Sequence, residues 1–262
     1  MVNNFDGSEL EGTIRIHLGG TPIDVLSAEH AALLVSRRFK AGLRTTVAPV
    51  NAAIVDLASN NQDFRMILEG FDLVLADGLW PALAATCLFR IRVHHANTLP
   101  FIRALFQCPT SNALKVFLLG AKPDVVARAA ARVHRLHQNV TVVGYRDGYF
   151  KSDDESSIVD IINKSGANIL LLGTSSPKKE LFIQQNWNEL TVSIGIGVGG
   201  LFDVWAGDVK EAPAWIRKVG FEWLVRLCQE PRRLWKRYTI SNLRFIIVVL
   251  NQAFPIFSRI RQ

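Results

Sequence analysis

An aspartate that closes an apolar run and precedes a glycine is the first place where this sequence could do chemistry: Ala76-Asp77-Gly78 follows Phe71–Leu75. A carboxylate at the C-terminal end of a strand suits a general base or a contact to a ribose hydroxyl, and the glycine lets a ligand approach the backbone. The competing role is that of a helix N-cap. Asn51 follows Ala48-Pro49-Val50 at the end of another such run. Its amide suits a sugar hydroxyl, or else a turn or a helix cap.

Glycine turns supply a second kind of group. Gly120 leads Ala121-Lys122-Pro123, Gly173 leads Thr174-Ser175-Ser176-Pro177, and Gly197-Val198-Gly199-Gly200 closes a third apolar run. The first two open helices, and free N–H groups at helix starts bind phosphate. Any βα turn favours glycine, so the signal is their recurrence along one sheet edge, which fits a nucleotide crevice. None is a Walker loop or a clean GxGxxG, and no acidic residue follows at the expected distance. A dinucleotide-dependent oxidoreductase therefore fits poorly.

The third kind is cationic. From Val209 to Gln262 there are eleven Lys and Arg against three Asp and Glu, a net of +8, while the whole chain carries +7. The basic excess is thus confined to the end of the chain and calls for an anionic partner. Arg226, Arg232, Arg233 and Arg237 lie among Trp215, Trp223, Trp235 and Tyr238. Arginine forks match diphosphate geometry, and basic aromatic helices sit well among lipid headgroups. Nucleic acid would explain the charge but not the apolar run Phe245–Leu250, so an anionic membrane surface is expected and nucleic acid is not.

Other chemistries lack their residues. His94-His95 have no partnered Cys, His, Asp or Glu set, so no metal is expected. Asp153-Asp154 reads as a helix cap, and there is no GxSxG. Cys87, Cys108 and Cys228 are scattered and read as reduced thiols. Met1 to Glu11 is polar, without a secretory h-region. No apolar stretch approaches the ~20 residues that span a bilayer. The expectation is a cytoplasmic protein, peripheral on the inner face of the cytoplasmic membrane.

The elements that must position these groups alternate. Strand-like runs cover Arg44–Ala48, Leu73–Leu75, Lys115–Leu119, Val140–Val143, Asn168–Leu172 and Val192–Ile196. Helix-like stretches cover Ala28–Ala41, Ala52–Asn60, Pro123–His137, Asp154–Ser165 and Pro177–Asn188. Val, Ile and Leu dominate the strands, as burial on both faces requires. The pattern predicts an α/β fold: a Rossmann-like parallel sheet with helices on both faces over residues 1–207. Residues 208–262 are expected to form a basic, helical, membrane-docking appendage, with Ala214–Asn251 helical and Pro231 breaking it in two.

In order and spacing these pieces resemble the WecG/TagA/CpsF glycosyltransferases (glycosyltransferase family 26), from about Ile14 to Asn242. The resemblance rests on Asn51, Ala76-Asp77-Gly78, Arg92-Val93, Val116–Gly120, Asp147-Gly148-Tyr149-Phe150, Pro177-Lys178 and Glu180. It continues through Gly197–Gly200, Phe202-Asp203, Ala206-Gly207, Ala212-Pro213, Glu222-Trp223, Arg226, Glu230–Arg233 and Arg237-Tyr238. It implies a Rossmann-like core that transfers a sugar, with inversion and without metal or other cofactor. The donor is a nucleotide sugar of the UDP type, and the acceptor a polyprenyl-diphosphate-linked sugar in envelope or exopolysaccharide assembly. Asp77 is then the base. Asn51, Gly78, Arg92, Gly120, Gly173, Pro177, Lys179, Glu180 and Gly199 surround the donor. Arg226, Arg232, Arg233 and Arg237 meet the acceptor's diphosphate. The sequence leaves a homo-oligomer open.

The chain departs from the family pattern at several polar positions. Pro49-Val50-Asn51 stands for Thr-x-Asn, and Arg92-Val93-His94-His95-Ala96-Asn97 for Arg-Val-x-Gly-x-Asp. Pro177-Lys178-Lys179-Glu180 stands for Pro-Lys-Gln-Glu, and Glu211-Ala212-Pro213 for Arg-Ala-Pro. Lys179 adds a cation and Glu211 removes one. A non-catalytic nucleotide-sugar binder is the alternative that these changes raise.

Overall fold

The computed structural model describes residues 13–109, 113–213, 215–216 and 220–260, with the backbone alone for 233, 236–238 and 255–260. Its strands are β1 (Arg15–Leu18), β2 (Thr21–Asp24), β3 (Thr45–Val50), β4 (Leu73–Ala76), β5 (Leu114–Gly120), β6 (Val140–Arg146), β7 (Ile169–Gly173) and β8 (Ile194–Gly197). They form one eight-stranded sheet in the order β1-β2-β4-β3-β8-β7-β5-β6. All pairings are parallel except β1 with β2. Residues 45–50 of β3 are buried throughout, including Thr45 and Thr46, so both faces of the strand are covered.

Helices cover both faces. On one lie α1 (Ala28–Lys40), α5 (Thr98–Gln107), α6 (Pro123–Leu136) and α9 (Leu201–Ala206). On the other lie α2 (Ala52–Asn60), α3 (Gln62–Glu69), α4 (Leu79–Phe89), α7 (Glu155–Lys164) and α8 (Lys178–Asn186). Each face has its own apolar core, and a Leu→Ala change in either is expected to cost ~2–5 kcal/mol. Starts are set locally. Ser27, Asn51 and Asn61 accept backbone N–H bonds at the beginnings of α1, α2 and α3, and Pro123 occupies the first turn of α6.

The six strands and five helices expected from the sequence are all present with shifts of a few residues. The β1–β2 hairpin and helices α3, α4, α5 and α9 were outside that expectation. The hairpin is tied in by Asp24, which accepts Arg15 Nε and Nη2 at 2.8 Å each and Val74 N–H at 2.7 Å.

The C-terminal segment contains α10 (Glu222–Gln229), α11 (Pro231–Lys236), a π-helical turn (Arg237–Ser241) and α12 (Asn242–Ile260). Pro231 divides it as expected, standing first in α11, where no N–H is needed. The segment packs against the sheet's α2 face. Phe245 is 2% exposed and joins the core on the α2 face, with Val248 and Val249 packed beside it. Gln252 closes the contact: its Oε1 accepts Gly19 N–H at 2.7 Å and its amide donates to His17 O at 2.8 Å.

Candidate active site

The loops that follow β3, β4, β8, β7, β5 and β6 converge at the carboxyl edge of the sheet around a cleft of about 1030 Å³. That edge is where open α/β sheets bind ligands. The tail supplies the remaining wall through Trp223, Arg226 and Leu234.

Asp77 sits at the end of β4, with its N–H donated to Val50 O at 2.8 Å. Its Oδ1 accepts the backbone N–H of Thr98, the first residue of α5, at 3.2 Å. Among the described residues Oδ2 has no protein partner, and the side chain borders the cleft. Asp77 does not cap the helix that follows it, α4, but meets the first N–H of α5. One oxygen satisfies a helix start and the other is open to a ligand, in the favourable field of a helix N-terminus. Asn97 holds the other side of this turn, its Oδ1 accepting Gly78 N–H at 2.9 Å. Asn97, which stands where the family pattern has Asp, is buried and was not among the expected site residues; its place just before Thr98-Leu99-Pro100 is also a helix-start pattern.

Asn51 caps α2 through Oδ1, at 3.1 Å to Ala53 N and 3.3 Å to Ile54 N. Its side-chain NH₂ has no protein partner among the described residues, so the cap and a sugar contact are compatible. Gly78 and Gly199 border the cleft, and nothing lies within 4 Å of where a side chain would begin.

Gly120 has a different role. A Cβ there would fall 2.5 Å from the Gly173 backbone, and one at Gly173 would fall 2.4 Å from the Phe202 ring. Gly120 is buried behind the cleft wall and serves strand packing, whereas Gly173 packs on Phe202 and also borders the cleft. The loop after β6 adds Tyr149, 72% exposed at the cleft mouth. Lys178 pins that loop, donating to Gly148 O at 3.1 Å and Phe150 O at 2.6 Å, with its ammonium 3.5 Å from the Phe150 ring centroid. Burial lowers the Lys178 pKa, against the pull of Glu155, Asp147 and Asp154.

Lys179, at the cleft, forms a buried ion pair with Glu180, and Ser176 Oγ bonds to both, at 2.9 Å to Glu180 Oε1. The cation that departs from the family pattern is thus neutralised by its neighbour. Glu180 lies behind Lys179, and Pro177, which precedes α8, is exposed; neither borders the cleft.

The second charged departure is also paired. Glu211 on the cleft lip accepts Arg103 Nη1 and Nη2 at 2.8 Å each. The same lip is held by Asp208, bound by Arg128 at 2.6 and 2.8 Å, and by Gln229. The Gln229 amide accepts Lys210 N–H at 2.7 Å and donates to Lys210 O at 3.0 Å.

Of the expected tail cations, Arg226 reaches the cleft and donates to Gly200 O at 2.8 Å. Arg232 is exposed outside it, and so is Arg92 on the loop after α4. The side chains of Arg233 and Arg237 lie outside the described residues. Among the described residues no three or more His, Cys, Asp or Glu group as metal ligands.

The sequence profile of the glycosyl transferase WecG/TagA/CpsF family matches residues 16–258. The chain belongs to this family. The match takes in the glycine turns, Asp77 and the tail through most of α12, so the WecG/TagA/CpsF unit includes both the core and the helices that close its cleft. A glycosyltransferase of this family requires a sugar donor and an acceptor. No helix of the described residues is long and apolar enough to cross a membrane.

Proposed function

We propose that this protein moves a sugar, of the hexosyl or N-acetylhexosaminyl type, from a UDP-sugar to a polyprenyl-diphosphate-linked sugar, with inversion and without a metal. The reaction belongs to envelope or exopolysaccharide assembly at the inner face of the cytoplasmic membrane. The observation that carries the reading is the Asp77 carboxylate, fixed through Oδ1 and open at Oδ2 in the cleft. The acceptor hydroxyl gives its proton to Oδ2 as its oxygen attacks the anomeric carbon. The bond from that carbon to the diphosphate oxygen breaks on the opposite side, and the nucleoside diphosphate leaves with the electron pair. Base assistance of this kind is worth ~10²–10⁴-fold.

The leaving charge is met by Arg226 and the turn amides around Gly173 and Gly199. Both charged departures are absorbed by partners, Lys179 by Glu180 and Glu211 by Arg103, which favours an active enzyme over a silent binder. The exposed face of α12, with Leu243, Ile246, Ile247, Leu250 and Phe254, fits a headgroup boundary beside the tail's cations.

A panel of nucleotide sugars offered with a lipid-diphosphate-sugar acceptor, read by released nucleotide, tests the reading. Release that needs the acceptor and Asp77 is expected. Donor binding with no transfer for any acceptor would leave a nucleotide-sugar binder instead.

A further inference from the structure

We propose that Trp80 and Trp223 form the seat for the acceptor's sugar ring, on the Asp77 side of the cleft; this rests on the glycosyl-transfer reading above. Trp80 stands three residues after Asp77, in the first turn of α4, and borders the cleft. Its ring centroid is 6.3 Å from that of Trp223 in α10, with the planes tilted by 50°. Phe221 packs on Trp223 from outside the cleft, with ring centroids 6.4 Å apart. Two distant parts of the chain meet here, the helix after the base and the first helix of the tail. Their approach is tight: a Cβ at Gly220 would fall 2.6 Å from Leu79 Cβ.

Pyranose rings present a flat face of C–H bonds, and aromatic rings pack on such faces while hydroxyls take the surrounding polar groups. Trp80 brings both parts. Its indole Nε1 is buried with no hydrogen-bond partner among the described residues. A buried N–H without an acceptor is unfavourable, and a sugar hydroxyl or ring oxygen supplies one. The position follows from the chemistry of Asp77, because the sugar that loses a proton must lie within hydrogen-bond reach of that carboxylate. The aromatic Tyr149 is no rival for this ring. It follows β6, which β3, β8, β7 and β5 separate from β4.

The test compares two soluble probes on the full chain, farnesyl diphosphate and farnesyl-diphospho-N-acetylglucosamine, by calorimetry. Wild type is expected to prefer the sugar-bearing probe by about fivefold or more. Trp80→Ala should lose that preference while its affinity for farnesyl diphosphate and for UDP holds. Should Trp80→Ala fold poorly, Trp80→Phe carries the test. It keeps a ring, lacks the N–H, and should lose about half of the preference on a logarithmic scale. An undiminished preference in the folded variant overturns the seat and leaves the acceptor reading standing. If wild type binds neither probe, the acceptor reading fails and the seat with it.

Discussion

Arg103 on α5 holds Glu211 on the cleft lip through two parallel 2.8 Å contacts, although the residues are 108 positions apart. The helix whose first N–H positions Asp77 thereby also positions the lip opposite. A partly exposed pair of this kind contributes ~0.2–1 kcal/mol to stability, so its larger effect is expected on geometry. Glu211→Arg should lower kcat/KM about tenfold with little change in Tm, and adding Arg103→Glu should restore most of it. A double variant no better than the single one would show that the pair does not set the lip.

Asp77→Asn keeps an oxygen to accept Thr98 N–H but removes the base. Turnover should fall by about two orders of magnitude or more, with UDP affinity and Tm unchanged. Turnover at the wild-type level would remove Asp77 from the mechanism.

The Lys179–Glu180 pair is buried on both sides. Lys179→Met strands a carboxylate in the interior and should cost ~3–5 kcal/mol in urea unfolding. Replacing both residues by Gln removes both charges and should recover most of that loss. If the single and double variants unfold alike, the two charges are not coupled.

On α12, Leu243 and Ile247 are exposed while Phe245 is buried. Leu243→Glu with Ile247→Glu should abolish co-sedimentation with anionic vesicles and change stability by no more than about 0.5 kcal/mol per site. Phe245→Glu should instead destabilise the fold. Undiminished sedimentation of the double variant would sink the assignment of this face to the membrane. These point changes are cleaner than truncation after Gly207, which would uncover the seat of Phe245 and confound solubility with unfolding.

Asp56 on α2 supplies a pH dependence. Burial raises its pKa above the ordinary 3.8, and Arg244 on α12 opposes the shift. The folded state then holds the proton more tightly than the unfolded state. Its penalty on stability is full above the raised pKa and disappears as pH falls to the ordinary carboxyl value. Asp56→Asn retains an acceptor for Asn60, at 3.3 Å in the native contact, and should raise Tm at pH 7. The gain should shrink toward pH 4, and a gain independent of pH would contradict the burial argument.

Legibility in the sequence followed burial. Strands β3, β4, β5, β7 and β8 are buried on both faces or nearly so, and such runs declare themselves by composition; the edge strand β6 is half-exposed and shows only through Val140, Val142 and Val143. The four-residue strand β1 mixes Arg15 and His17 with Ile16 and Leu18, and β2 has Ile23 between Pro22 and Asp24, patterns too short to separate from a loop. Helix α4 is apolar at nearly every position, so it lacks the polar stripe that reveals a helix by its period. Asp77, Asn51 and the glycine turns were legible because strand ends carry a local signature. The contacts of Asp77 with Thr98 and of Gly173 with Phe202 were not, since those partners come from elsewhere in the chain. A single sequence carries no record of which distant residues pair. Lys179 and Glu180 were adjacent and still gave no warning, because helical neighbours at i and i+1 do not ordinarily face each other.

The Gln252 clasp on Gly19 joins residues 233 positions apart. During synthesis the hairpin emerges 233 residues ahead of its partner. At ~5–20 residues per second the hairpin and the apolar side of α2 wait roughly 10–50 s for their cover. Over that interval the nascent chain exposes the seat of Phe245, which makes it a client for chaperones until α12 is released. Slower translation of the stretch between them would lengthen this window and raise the risk of aggregation without altering any contact in the finished molecule.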